Sequence, residues 1–259
     1  MNIGVCAKIS VDADARIKIK SDGSGVDIAG EKLVVGDYDE YAVEEAIRTK
    51  EAHGGSVTAF TVGAPSDEKL IRSGALALGA DKAVLISDDA AQAASPLGIA
   101  RLLAAAIKEA GCDIVFTGKV STDEGNSQTA AMVAELLGWA QISQVTEFSV
   151  DGGTFTATRN MDAGVRQVVT GSLPAVVSCE DGLNDPRYPK LPDIMKAKRK
   201  PMSKIGSADL GLGDGVAPNA NQSNFAPPPP RPPSRIIPGE AGAAASELVR
   251  LLREEAKVL

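Results

Sequence analysis

The sequence predicts an α/β fold: a doubly wound, mostly parallel sheet with helices on both faces, extended by antiparallel strands and ending in a long C-terminal arm. Three observations predict it. Short apolar or β-branched runs alternate with helical patterns over residues 2–137, the order that builds βαβ units around buried parallel strands. Period-two segments over 143–170 are joined by Asp151-Gly152-Gly153 and Asp162-Ala163-Gly164, which read as hairpin turns. The run from Ala226 through Pro233, six of whose eight residues are proline, admits neither helix nor central strand.

In order along the chain, residues 2–7 form the first apolar strand. Ile17 and Ile19 then alternate with Arg16, Lys18 and Lys20 as a half-exposed strand before a turn at 21–25. A helix over 40–52 buries Ala42, Val43, Ala46 and Ile47 and turns Glu44, Glu45 and Arg48 to solvent, with Asp37 or Asp39 as its cap. Strand 56–62 ends at Gly63-Ala64-Pro65, and a helix over 67–78 closes at Gly79. Strand 83–86 and helix 96–109 return the chain to strand 113–117. From Gln128 onward Met132, Val133, Leu136 and Leu137 fall at helical spacing, and Gly138 offers the stop. After the hairpins come strand 174–179, an exposed loop over 184–189 and a basic helix over 194–200. Residues 240–259 read as an amphipathic helix with Leu248, Val249, Leu251 and Leu252 on one side; such a helix needs either a partner surface or its own domain to cover it.

Ligands of an open α/β sheet belong at the carboxyl ends of its strands. Three loops qualify: the one after Ala7, residues 36–39, and residues 118–129, with Val62-Gly63 at the rim. The loop Gly118-Lys119-Val120-Ser121-Thr122-Asp123-Glu124-Gly125-Asn126-Ser127 lies between a buried strand and a helix N-terminus, the arrangement that holds a phosphate. The same residue types also serve as ordinary helix caps, and both readings stand. The loop is neither a Walker A motif nor a dinucleotide fingerprint, lacking the Gly-Lys-Ser/Thr end of one and the spaced glycines of the other.

A net charge of −7 and a pI near 4.9 argue against nucleic acid as a partner, although residues 187–204 are locally basic. No apolar run reaches the ~20 residues of a membrane span, and Met1 leads into a strand rather than a signal segment; the expected location is the cytoplasm of a bacterium. Cys6, Cys112 and Cys179 are far apart and form no C-x-x-C pair, so neither a disulfide frame nor a metal site is expected. His53 is the sole histidine and sits at a helix end, so no Ser-His-Asp or Cys-His constellation can be assembled and no catalytic residue is expected. Asp123 and Glu124 can be read as metal ligands or a base; ribose recognition or simple solvation is the preferred reading.

Several segments in combination resemble one family, the β (small) subunit of electron transfer flavoprotein. They are Ala42-Val43-Glu44-Glu45-Ala46, Gly79-Ala80-Asp81-Lys82-Ala83, Gly118-Lys119 with Asp123 and Ser127-Gln128-Thr129, and Leu183-Asn184-Asp185-Pro186-Arg187-Tyr188 followed by Leu191-Pro192-Asp193-Ile194-Met195-Lys196-Ala197-Lys198. They run in the family's order from Asn2 to about Gly211, and the last is the most specific.

The resemblance implies a Rossmann-like three-layer domain of the adenine-nucleotide α-hydrolase type over residues 1–206, including a partner-recognition loop at 180–200. Residues 207–259 would be a proline-rich arm and a helix packing on the partner subunit. It implies an electron carrier of two chains, not an enzyme, in which the α subunit carries most of the FAD site and this chain binds AMP. By position, AMP contacts fall on Cys6, Gly36, Asp37, Tyr38, Asp39, Val62, Gly118, Lys119, Thr122, Asp123, Gly125, Asn126, Ser127, Gln128 and Thr129. Tyr38 matches an aromatic near the flavin. Leu191, with Arg187, Tyr188, Ile194 and Met195, corresponds to the surface that docks flavin-dependent dehydrogenases, and Lys196, Lys198, Arg199 and Lys200 would steer the encounter. Electrons would pass on to an acceptor such as a membrane quinone oxidoreductase.

Three departures qualify the resemblance. Asn160 stands where the family signature Arg-Glu-Ile-Asp-Gly-Gly has an acid. The loop 122–129 is closer to the AMP-binding branch than to the electron-bifurcating branch, where a second FAD replaces AMP, and matches neither cleanly. The proline arm lies outside the core resemblance. The alternatives are therefore a bifurcating relative and a nucleotide-binding signalling module on the same fold.

Overall fold

The computed structural model describes residues 1–218 and 222–259. The strands are β1 (Asn2–Cys6), β2 (Ile9–Val11), β3 (Lys18–Ile19), β4 (Val26–Asp27), β5 (Leu33–Val35), β6 (Ser56–Val62), β7 (Lys82–Ile86), β8 (Ile114–Gly118), β9 (Ala140–Asp151), β10 (Thr154–Asn160), β11 (Arg166–Ser172), β12 (Ala175–Cys179) and β13 (Met202–Ile205). The helices are α1 (Asp37–His53), α2 (Glu68–Ile71), α3 (Asp89–Gln92), α4 (Pro96–Ala110), α5 (Thr129–Leu137), α6 (Leu191–Ala197) and α7 (Ala241–Glu254).

One large sheet has the order β11-β10-β9-β12-β8-β1-β6-β7-β13. It is parallel from β9 through β12 to β13 and antiparallel in the β9-β10-β11 meander. The doubly wound sheet with added antiparallel strands is thus the observed architecture. Its central strands are buried on both faces because their side chains alternate between two cores. Ile3, Val5, Phe116 and Val177 face Ala42, Val43 and Ile47 of α1. Cys6, Phe60, Val115 and Val176 face Leu103 and Ile107 of α4 and Val133 of α5.

The meander is fastened to the parallel part by aromatic rings. Phe116 of β8 meets Phe148 of β9 edge-on, centroids 5.3 Å apart, and Phe148 stacks on Phe155 of β10 at 6.0 Å, geometries that complement ring quadrupoles. Phe155 in turn lies over Gly171 of β11, its cross-strand partner. A Cβ there would come within 2.5 Å of the Phe155 ring, so the ring fills the space that the missing side chain leaves.

Several expectations need correction. The helix over 67–78 is broken into a 3₁₀ turn (Pro65–Asp67), α2 and a π turn (Arg72–Leu76), with the kink at Gly74, where the dihedrals leave the helical region. The strand around 16–20 shrinks to a two-residue ladder of β3 with β4, leaving Ile17 exposed. The ladders β2-β5 and β13-β7 have too few alternating residues to stand out from sequence. The helix placed at 194–200 begins three residues earlier, with Pro192 in its first turn, where proline lacks only an N–H that a helix start cannot use.

Packing on the sheet domain continues through Val216, which is fully buried among α4 residues; Arg101 donates to the Gly215 carbonyl at 2.6 Å. Residues 222–240 form neither helix nor strand. α7 leaves Leu248 and Val249 exposed, and Leu251 is its only buried residue.

The Phe155–Gly171 approach has a discriminating consequence. Glycine in a strand interior ordinarily costs about 0.5–1 kcal/mol relative to alanine, so propensity alone favours Gly171→Ala. Here the added methyl displaces the ring, and we expect a loss of about 1–3 kcal/mol. A thermal melt of the variant reads the sign, and a raised midpoint contradicts the packing described.

Candidate functional site

From β1 the chain winds outward through β6 and β7 to β13, whereas β8 and β12 lie on the other side of β1. The direction of winding therefore reverses between β1 and β8, and a crevice opens at their carboxyl ends.

Asp39 occupies the root of that crevice. Its Oδ2 accepts from the Lys8 backbone N–H at 2.7 Å, and its Oδ1 accepts from the Gly118 N–H at 2.9 Å. One carboxylate thus joins the ends of β1 and β8 to the start of α1. The junction requires glycine at 118: a Cβ would lie 2.5 Å from Asp39 Oδ1 and 2.9 Å from backbone atoms of Tyr38 and Asp39. Desolvation pushes the Asp39 pKa up to about 6, although both backbone donors oppose the shift. Neither Asp37 nor Asp39 caps α1, contrary to expectation. The cap is Gly36, without a side-chain hydrogen bond; Asp37 is an exposed first-turn acid, and Asp39 has been drawn across to the sheet.

Of the residues singled out in the sequence, Cys6, Asp39, Val62, Gly118, Lys119, Asn126, Ser127, Gln128 and Thr129 line one cleft. Gly36, Asp37, Tyr38, Thr122, Asp123 and Gly125 lie outside its wall. Tyr38 packs beneath Lys119, whose Nζ is 4.6 Å from the ring centroid and 2.7 Å from Glu180 Oε2. The cleft also recruits residues that sequence reasoning missed. Pro96, Ile99 and Leu103 of α4 supply an apolar wall, having been read only as a helix stripe. Lys8, also in the lining, extends its ammonium to Asp123 (2.7 Å), Glu124 (3.3 Å) and Ser121 Oγ (3.3 Å). Its position directly after the first strand was the available signal. Burial pushes the Asp123 pKa up, but the Lys8 hydrogen bond and charge outweigh it and the net shift is downward.

The far end of the cleft is the N-terminus of α5. Its N-cap, Gln128, makes no side-chain cap hydrogen bond, and Ser127 adopts a positive φ of 52°. Among the described residues, neither the Ser127 nor the Thr129 hydroxyl has a hydrogen-bond partner. The first-turn N–H groups of a helix lack intrahelical acceptors. The polar residues before this helix are therefore not its caps, and the end presents free donors into the cleft.

A second cluster ties residues 181–190 to α1. Glu44 and Glu45 do not face solvent as expected; both are buried, while Arg48 is exposed. Glu44 receives the Arg187 Nε and Nη2 at 2.8 and 2.9 Å, and Glu45 receives Asn184 Nδ2 at 3.0 Å. Arg187 also forks onto Glu51 at 2.7 and 2.9 Å. Arg187 is thus turned inward, and Ile194 packs against the core, whereas Tyr188, Leu191 and Met195 are exposed. Lys200 is withdrawn from any role in steering: its ammonium donates to the Leu76 and Ala80 carbonyls, and burial lowers its pKa.

A family model described as "Electron transfer flavoprotein domain" matches residues 25–210. The electron transfer flavoprotein subunit beta of Bacillus subtilis is 39% identical to this chain over the full length of both. That of Syntrophomonas wolfei is 36% identical over all of this chain and 98% of its own, and that of the mouse 37% over 80% and 82%. The chain belongs to the electron transfer flavoprotein subunit beta family.

Membership gives the chain an electron-transfer role rather than a catalytic one. The cleft itself combines polar donors with an apolar wall. Burial pushes the Cys6 thiol far up and the Cys112 thiol up to about 11, so neither is a thiolate near neutral pH. Among the described residues no His, Cys, Asp and Glu cluster has metal-binding geometry, and no helix is long and apolar enough to cross a membrane.

Asp39 makes this family member's stability depend on pH in a defined direction. Its folded pKa, about 6, lies above the ordinary aspartate value of 3.8, so the folded state holds the proton more tightly. The associated stability is present below pH ~4 and is lost as pH rises through ~6. Asp39→Asn cannot titrate. Unfolding midpoints of the two proteins from pH 4 to 7 should therefore diverge, wild type losing ground to the variant; a constant difference contradicts a protonated Asp39.

Proposed function

We propose that this chain is the beta subunit of a heterodimeric electron transfer flavoprotein, binding AMP in the β1/β8 cleft and completing the FAD site of an alpha subunit. In this reading it serves, in the bacterial cytoplasm, as a carrier from flavin-dependent dehydrogenases to an electron-acceptor oxidoreductase such as a membrane quinone oxidoreductase. The observation that carries the nucleotide assignment is the uncapped N-terminus of α5 at the switch point, in a chain of this family. Free N–H groups, the helix dipole and the Ser127 and Thr129 hydroxyls suit a phosphate dianion. The apolar wall of Ile99 and Leu103 suits the face of a base. Lys8 pairs with both Asp123 and Glu124, which offsets part of the repulsion between these loop carboxylates and the anion.

The flavin supplies the redox chemistry when bound to the alpha subunit. On this chain the reading gives Tyr38, held under the Lys119 ammonium, the task of shielding the ring by packing. Tyr188, Leu191 and Met195 form the exposed apolar surface assigned to the dehydrogenase; an anchor of this kind typically accounts for about 2 kcal/mol or more of binding. α7 and the proline arm are assigned to the alpha subunit, since Leu248 and Val249 remain uncovered.

The deciding experiment coexpresses this chain with an alpha-type partner, purifies the complex and quantifies its released small molecules by chromatography. One FAD and one AMP per heterodimer are expected. Two FAD and no AMP would replace this reading with a bifurcating enzyme, and ATP turnover by the chain alone, lost in Asp123→Ala, with a signalling module. In the carrier, Ser127→Ala and Thr129→Ala should each weaken AMP retention about tenfold or more, as for a hydrogen bond to a charged group. Unchanged AMP content after extensive dialysis of both variants would move the phosphate elsewhere.

A further inference from the structure

The exposed surface on residues 188–195 is ordered without burying what it displays. Tyr188 is 90%, Leu191 73% and Met195 55% exposed, so hydrophobic burial of these side chains contributes little to holding them in place. Pro186, Pro189 and Pro192 limit the backbone, Ile194 and Ala197 pack against the core, and charge fastens both ends of the segment. At one end, Arg187 grips two carboxylates of α1 through five hydrogen bonds, its own backbone N–H included. One of those carboxylates, Glu44, is buried. At the other end, Arg72 of the π turn donates to the Ala197 and Lys200 carbonyls at 3.1 Å. Lys200 returns the contact to carbonyls at the end of the same kinked helix, so each helix terminus is satisfied by a cation from the other segment.

A buried ion pair is an inefficient source of stability, since desolvation offsets much of the attraction. What a bidentate guanidinium does supply is one geometry. We infer that Arg187, with Glu44 and Glu51, is a positioning clamp that fixes the Tyr188–Leu191–Met195 surface before a partner arrives, and so sets the affinity for the flavin-dependent dehydrogenase. This rests on the docking role given to that surface above. Ordering the surface in advance removes from binding the entropy that a mobile loop would lose on contact. The clamp acts on encounter and not on electron transfer within the complex, because Arg187 faces α1 rather than the exposed side.

The test uses the purified heterodimer and one purified flavin-dependent dehydrogenase that reduces the wild-type complex. Arg187→Lys keeps the charge and loses the fork; Glu51→Gln removes one exposed carboxylate and leaves the buried pair intact. Arg187→Lys should raise the KM for the dehydrogenase about tenfold, Glu51→Gln less, both at unchanged kcat. Amide hydrogen exchange over 185–190 should quicken in both, with the melting midpoint nearly unmoved in Glu51→Gln. Leu191→Ala is the control for docking itself. If Leu191→Ala raises KM and the clamp variants do not, the clamp is a structural tie and the inference is overturned. If Leu191→Ala leaves KM unchanged, the docking role fails and the positioning role with it, whatever the exchange rates show.

Discussion

The carboxylate of Asp39 is the constraint around which the functional end of this molecule is arranged. Two adjacent parallel strands that wind away from each other leave backbone N–H groups at their carboxyl ends with no ladder partner. Lys8 and Gly118 carry those groups, and a single side chain from the entry of α1 satisfies both. Because buried backbone donors must be paired, this bond fixes where α1 starts and how closely residue 118 approaches it. It also fixes the position from which the loop departs toward α5. The cost is a carboxylate held in a poorly solvated place, visible in its upward-shifted pKa.

The same helix organises a second site through different chemistry. Its first turn shapes the cleft, whereas Glu44, Glu45 and Glu51 on its following turns hold the segment that displays Tyr188 and Leu191. The proposed nucleotide cleft and the proposed docking surface therefore share one rigid element. Charge settles both ends, by hydrogen bonds to main-chain N–H groups in one case and by a forked guanidinium in the other. The apolar cores on the two sides of the sheet give α1 the fixed position from which both can be built.

Much of this was legible in the sequence. The strand 56–62, the strand read at 113–117 and observed at Ile114–Gly118, and the helix beginning at Pro96 follow from apolar runs bounded by glycine and proline, since local steric rules place such boundaries. The loop before α5 could be picked out because ligand loops follow strand ends. What the sequence left open was whether its Ser, Thr, Asp and Asn residues cap the helix or face a ligand. The uncapped Gln128 removes the capping role, and only geometry could, because both uses draw on the same residue types. Glu44 and Glu45 were misplaced for a related reason: acids on a helix default to the solvent face, and their partners Arg187 and Asn184 are about 140 residues away.

By itself, then, the sequence determined the order of elements, the parallel sheet and the family, because these depend on local periodicity and on residue strings that keep their order. The tertiary structure decided the pairing of charges: Asp39 with two strand ends, Lys8 with Asp123 and Glu124, Arg187 with the buried face of α1. A charged side chain carries no periodic signal naming its partner. Its environment is set by whichever distant segment the fold brings within hydrogen-bond reach, and that is a property of the assembled chain.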